Sequence, residues 1–219
     1  MTASKTLALI RNREDLTDAL NALADLDPVM ARTIATLPEI PLRNRQPGFA
    51  GLAEIVIGQQ VSKASASAML SRLQAELGRI TPDGFLQMNE AAHIRLGLSR
   101  AKRATLTGVA IELRDGSFDF AELSRMDAEP ARSRLQAFKG IGPWSADVYL
   151  LFCLGRRDIF PAGDIALQQE AADLLALDER PDAKEMAAIA MRWAPYRSAA
   201  ARVLWTGYAN RRGREVLTG

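Results

Sequence analysis

The stretch Leu135-Gln136-Ala137-Phe138-Lys139-Gly140-Ile141-Gly142-Pro143-Trp144-Ser145-Ala146-Asp147 sets two glycines and a proline between two apolar segments of helical spacing. Gly140 can take the positive φ that ends a helix, Gly142 lets a backbone approach closely, and Pro143 suits the first position of a new helix. A helix is therefore expected to start at Pro143. Its first N–H groups, with no side chain in front of the two glycines, favour an anionic oxygen such as a phosphate. A tight helix-helix connection with no ligand is the plain alternative, because Gly-x-Gly is common.

A short loop beyond that helix stands Phe160-Pro161-Ala162-Gly163-Asp164-Ile165-Ala166-Leu167. Asp before Ile165-Ala166-Leu167 is a good N-cap, and it also places a fixed carboxylate after the turn. Turn, helix, loop and Asp together resemble the helix-hairpin-helix and Gly/Pro-Asp signature of the HhH-GPD DNA glycosylases, in the alkylation-repair branch typified by DNA-3-methyladenine glycosylase II. Two further segments are similar to this family: Ile57-Gly58-Gln59-Gln60-Val61-Ser62 and Leu96-Gly97-Leu98-Ser99-Arg100-Ala101-Lys102. The likeness runs from about Phe49 to Tyr208.

The resemblance implies an all-α, two-lobed fold with the active-site cleft between the lobes and the hairpin at about residues 128–154. It implies Asp164 as the catalytic residue. It also implies phosphate binding by the backbone of Gly140, Gly142, Trp144 and Ser145, with Lys139 as a phosphate contact or plain solvated charge. A Na+ or K+ ion held by the backbone carbonyls of Gln136, Phe138 and Ile141 is a further implication. Gln60, beside Gln59, stands where the family inserts a wedge into the minor groove. Trp144 and Tyr196 are the base-pocket candidates, since an electron-poor alkylated base favours aromatic walls. For Tyr196, Trp193 and Trp205 a place in the core is the rival expectation. Relatives that also cut the strand carry a lysine where this chain has Trp144, so no lyase activity is expected.

The chemistry suits so sparse a set of groups. Breaking an N-glycosidic bond builds positive charge on the sugar, which one fixed carboxylate can stabilise while it orients water. A purine alkylated on a ring nitrogen is already a good leaving group and needs no strong general acid. The expected activity is excision of alkylated purines, chiefly 3-methyladenine and 7-methylguanine, from double-stranded DNA. The alternatives are the same chemistry on uracil, hypoxanthine or 1-methyladenine, and a non-catalytic DNA-binding module.

Composition narrows the field. The 219 residues are 48% hydrophobic and carry a net charge of +2, so any DNA surface must be a local patch. One histidine, His93, argues against a serine triad or a histidine metal cage, and beside Arg95 it reads as part of a surface helix. The single Cys153, in an apolar run, rules out an internal disulfide and a four-cysteine iron-sulfur cluster. No run is long enough to span a bilayer and Met1 to Asp15 lacks a signal core, so a cytoplasmic monomer is expected, with no cofactor for catalysis.

Elsewhere the chain reads as helix after helix. Leu16, Ala19, Leu20, Leu23 and Leu26 make one apolar stripe that Asp27-Pro28 stops. Pro38, Pro41 and Pro47, with Arg43 and Arg45, mark a linker. The expected division is an N-terminal helical segment over 1–45 and a glycosylase domain over 46–219, with 1–45 and the C-terminal helices as candidates for one lobe. Ser62, Thr81, Asn89, Ser99, Asp119 and Asp127 read as caps, and Asp182 with Glu185 as a capping box. Arg100, Lys102 and Arg103 are expected to be solvated or to meet phosphates, and Asp147 to fix the Asp164 loop or to cap.

Overall fold

The computed structural model describes residues 9–213, which contain helices and no strand. Residues 1–8 and 214–219 lie outside the described residues. The helices are α1 (Arg13–Leu26), α2 (Pro28–Thr36), α3 (Phe49–Gly58), α4 (Lys63–Leu77), α5 (Pro82–Gln87), α6 (Glu90–Arg95) and α7 (Arg100–Arg114). There follow α8 (Phe120–Arg125), α9 (Ala128–Gln136), α10 (Pro143–Phe152), α11 (Ile165–Leu175), α12 (Ala183–Ala190) and α13 (Arg197–Arg211).

The chain divides into two compact units, Met1–Asn44 with Leu150–Gly219, and Arg45–Tyr149. One junction lies in the proline-bearing linker. The other falls inside α10, where nothing in the sequence marks a break.

In the first unit, α13 packs on α1, α2 and α11. Ala199, Ala200, Ala201, Val203 and Leu204 are buried, and so are the polar Ser198, Arg202 and Thr206, so this helix is enclosed on most of its faces. Small residues let α11 approach. A Cβ at Gly207 would overlap Glu170 Oε1, and that buried carboxylate is held by Arg211 through Nη2 at 2.8 Å and Nε at 3.0 and 3.1 Å. Trp193 and Trp205 belong to this core, Trp193 fully buried and Trp205 stacked on Phe152 at 5.4 Å.

Asp27 ties three elements of this unit together. Its Oδ1 accepts from the N–H groups of Val29 (2.8 Å) and Met30 (3.4 Å) and so caps α2. Its Oδ2 accepts from Trp193 Nε1 at 2.9 Å and pairs with Arg192 Nε at 2.9 Å. Burial alone would raise its pKa, but the Val29 N–H, the Trp193 indole and the Arg192 charge outweigh it and hold the carboxyl below its usual 3.8. The stability this supplies is complete above the unfolded value and is lost as pH falls through the lower folded one. Asp27→Ala orphans an indole N–H and a helix start, an expected loss of roughly 2–4 kcal/mol. Urea unfolding at pH 7 checks that figure, and the variant's stability should fall less steeply than wild type below about pH 4.

In the second unit α3 is the centre, with Phe49, Leu52, Ala53, Ile55, Val56 and Ile57 buried between α4 and α7. Phe85 meets Phe49 edge-on at 5.8 Å and lies 4.9 Å from His93. His93 is therefore buried in an aromatic contact and not on a surface helix: α6 is short, and its turn brings the imidazole inward. Burial, and then the Arg103 charge, lower its pKa. Ser62, Thr81, Asn89, Ser99 and Asp119 each accept from a backbone N–H of the helix they precede. Asp127 stands at the N-cap position of α9 but its side chain makes no capping hydrogen bond. In α4, Met69 and Leu73 are buried while Leu70 and Leu77 are half-buried.

Candidate active site

The turn between α9 and α10 has the conformation its glycines permit. Gly140 has φ +92, Ile141 N–H donates to the Phe138 carbonyl at 3.0 Å, and Pro143 opens α10. Phe138 and Ile141 point inward and anchor the turn: Phe118 meets Phe138 edge-on at 5.0 Å, and the Arg134 guanidinium lies over both rings. Thr105 on α7 donates to the Lys139 carbonyl at 2.9 Å. Its hydroxyl also fills the space a side chain at Gly140 would need, so residue 140 must be glycine for two independent reasons. The space in front of Gly142 is open, and Lys139 is exposed.

The two adjacent glutamines part company. Gln59 closes α3 and turns its side chain to the hairpin, where Nε2 donates to the Gly140 carbonyl at 3.1 Å and to Ser145 Oγ at 2.7 Å. Gln59, grouped above with Gln60 as a wedge candidate, has its amide engaged within the protein. Gln60 is exposed and has φ +53, a left-handed conformation that non-glycine residues rarely adopt. Such outliers concentrate at functional positions. Lys102 is another departure, because its Nζ donates to the Ile57 carbonyl at 2.7 Å at the C-terminal end of α3, and burial lowers its pKa. Arg100 is exposed, and Arg103 pairs with Glu90 at 3.3 Å.

In the first turns of α10, Trp144 is half-buried and Ser145 buried. Asp147 pairs with Arg132 Nε at 2.7 Å. Opposing charges this close brace α9 against α10, a role that spacing alone did not reveal. The carbonyls of Gln136, Phe138 and Ile141 give an all-oxygen donor set of the kind a hard cation takes. The Phe138 carbonyl spends one lone pair on Ile141 N–H, and its second remains for a ligand. Among the described residues no group of three or more His, Cys, Asp or Glu side chains is placed to hold a metal.

Asp164 and Tyr196 belong to the other unit. Asp164 is the N-cap of α11, and both cap bonds fall on Oδ1, from Ala166 N–H at 2.9 Å and Leu167 N–H at 3.1 Å. Its own N–H donates to the Pro161 carbonyl at 2.9 Å, while Gln168 Nε2 holds the Ala162 carbonyl at 2.8 Å. The carboxylate is thus fixed on a braced loop and half-exposed. Tyr196 is half-buried with the Arg157 guanidinium 4.9 Å from its ring centre. That cation covers one ring face, a contact without a local signal in the chain.

Residues 53–196 match the HhH-GPD superfamily of base excision DNA repair proteins, and the chain belongs to that superfamily. It is 32% identical, over 92% of its length, to a Mycobacterium tuberculosis protein described as a probable bifunctional transcriptional activator/DNA repair enzyme AlkA, of which it covers 41%. The chain thus spans about two fifths of that relative's length. Among solved structures it is similar to a DNA-3-methyladenine glycosidase from Bacillus halodurans, at 28% identity and a TM-score of 0.77, covering 89% of this chain and 91% of that one. It is also similar to the Schizosaccharomyces pombe 3-methyladenine DNA glycosylase Mag1 in complex with abasic DNA, at 25% identity and a TM-score of 0.80, covering 92% and 100%. No helix among the described residues is long and apolar enough to cross a membrane.

Proposed function

We propose that this chain is a monofunctional DNA glycosylase that flips alkylated purines, chiefly 3-methyladenine and 7-methylguanine, out of duplex DNA and hydrolyses the glycosidic bond. The observation that carries the reading is Asp164, a carboxylate fixed at the start of α11 with both cap bonds on a single oxygen. A fixed anion stabilises the positive charge that develops at C1′ and the ring oxygen, and it can orient the attacking water. The hairpin backbone at Gly140, Gly142, Trp144 and Ser145 receives a DNA phosphate, with Lys139 at its edge. A monovalent cation at the Gln136, Phe138 and Ile141 carbonyls would add positive charge to that contact.

Gln60 fills the gap left by the extruded nucleotide. Its exposure and left-handed backbone support this, and its amide can hydrogen-bond the widowed base. Trp144 and Tyr196 remain the candidate aromatic walls for the flipped base, each half-buried within its own unit. Trp144 occupies the place where a lysine would form a Schiff base, so the product is an intact strand with an abasic site.

Duplexes carrying one defined lesion each test the reading. The expected result is release of 3-methyladenine or 7-methylguanine, with strand cleavage only after alkali. Cleavage without alkali would overturn the monofunctional assignment. Release of uracil, hypoxanthine or 1-methyladenine alone would keep the chemistry and change the substrate.

A further inference from the structure

We propose that Gln59 is a positioning residue that couples the phosphate-binding hairpin to the wedge, so that capture of the backbone and insertion of Gln60 act as one event. The inference rests on the glycosylase reading above, in which Gln60 is the wedge. Its structural basis lies wholly within residues 45–149.

The orientation of the Gln59 amide follows from its partners. A carbonyl only accepts, so the group facing the Gly140 carbonyl at 3.1 Å must be the amide nitrogen, and the same nitrogen reaches Ser145 Oγ at 2.7 Å. These two acceptors belong to the turn and to the first turn of α10, the segment assigned to the phosphate. One peptide further on, Gln60 is exposed with φ +53. Consecutive Cα atoms lie ~3.8 Å apart across a trans peptide, so a shift of the hairpin reaches the wedge with little slack. Lys102 holds the other side of the loop through the Ile57 carbonyl at 2.7 Å. The loop is clamped between α7 and the hairpin, and the Gln59 amide links it to the phosphate contact through its hydrogen bonds to Gly140 and Ser145. A glutamine that merely filled space would not need two acceptors on one functional turn.

The test compares wild type with Gln59→Met, which keeps length and removes both hydrogen bonds. Four readouts are taken: thermal stability, affinity for undamaged duplex, fluorescence of a 2-aminopurine beside the lesion as a report of unstacking, and single-turnover base release. The expected result is affinity within roughly threefold of wild type, with unstacking and release both slowed roughly 10- to 100-fold, corresponding to loss of one or two strong hydrogen bonds. Adding Gln60→Ala to Gln59→Met should then slow release by less than about threefold further, because coupled residues are not additive. Gln59→Glu adds a pH signature. Its carboxylate repels the Gly140 carbonyl, and protonation restores a donor, so unstacking should recover as pH is lowered towards 5, unlike Gln59→Met.

Wild-type unstacking and release in Gln59→Met would overturn the proposal. So would full multiplicative effects of the Gln59 and Gln60 substitutions, or a defect that only parallels lost thermal stability. If wild type unstacks DNA but releases no base from any lesion, the glycosylase reading fails while the unstacking comparison still decides the coupling. If wild type does not unstack DNA, the coupling fails as well.

Discussion

Asp164→Asn is expected to lower single-turnover base release by roughly a thousandfold while leaving the fold and the affinity for abasic DNA intact. A carboxylate about 4 Å from a developing unit charge, at an effective dielectric near 20, contributes up to ~4 kcal/mol, which corresponds to a rate factor of that order. The amide keeps the shape and loses the charge. Asn is as good an N-cap as Asp, so the Ala166 and Leu167 N–H groups stay satisfied and stability should change by less than ~0.5 kcal/mol. This separates the two roles open to Asp164. If it were only a cap, Asp164→Asn would release bases at the wild-type rate and Asp164→Ala would be the damaging change.

Gly140→Ala carries the largest expected structural effect. A residue with φ +92 is strained for any L side chain, at roughly 1–3 kcal/mol. The new methyl also overlaps the Thr105 hydroxyl, and forcing an extra carbon into packed space costs another ~1–3 kcal/mol. Together these amount to about 2–6 kcal/mol, or roughly 4–24 °C in Tm for a domain of this size. Affinity for abasic duplex should fall roughly tenfold, since the backbone of the turn assigned to the DNA phosphate shifts with residue 140. Thr105→Ala in the same chain removes the overlap but not the backbone strain, so it should restore part of the loss and not all of it. A Gly140→Ala variant with wild-type Tm would contradict the close approach of α7 to the turn.

The local features of this chain were legible in its sequence because their causes are local. Pro143 fixes a helix start, Gly140 permits a helix end, and Ser62, Thr81, Asn89, Ser99, Asp119 and Asp182 cap through bonds to residues two or three positions on. The long-range partners were not. Gln59 meets a carbonyl 81 residues away, Asp27 meets an indole 166 residues away, and Lys102 reaches back 45 residues to α3. Periodicity places a residue on a helix face but does not say which neighbour covers that face. Hence His93 was expected in solvent and lies on Phe85, and Lys102 was read as solvated or on a phosphate and holds Ile57. Asp127 shows the converse limit: a residue of the right type at the N-cap position, with no bond made. The Arg157 guanidinium on Tyr196 had no sequence signal, since nothing in two arginines before an aspartate announces a distant ring.

The most direct test is base release from randomly methylated duplex DNA, separated and identified by chromatography, with wild type and Asp164→Asn compared at equal occupancy of abasic-site DNA. The expected result is that wild type releases 3-methyladenine or 7-methylguanine and that the bound, folded Asp164→Asn variant does not. Binding of DNA by both proteins with no base released by either, on methylated or deaminated substrates, would contradict it and leave a DNA-binding module in which Asp164 is a helix cap.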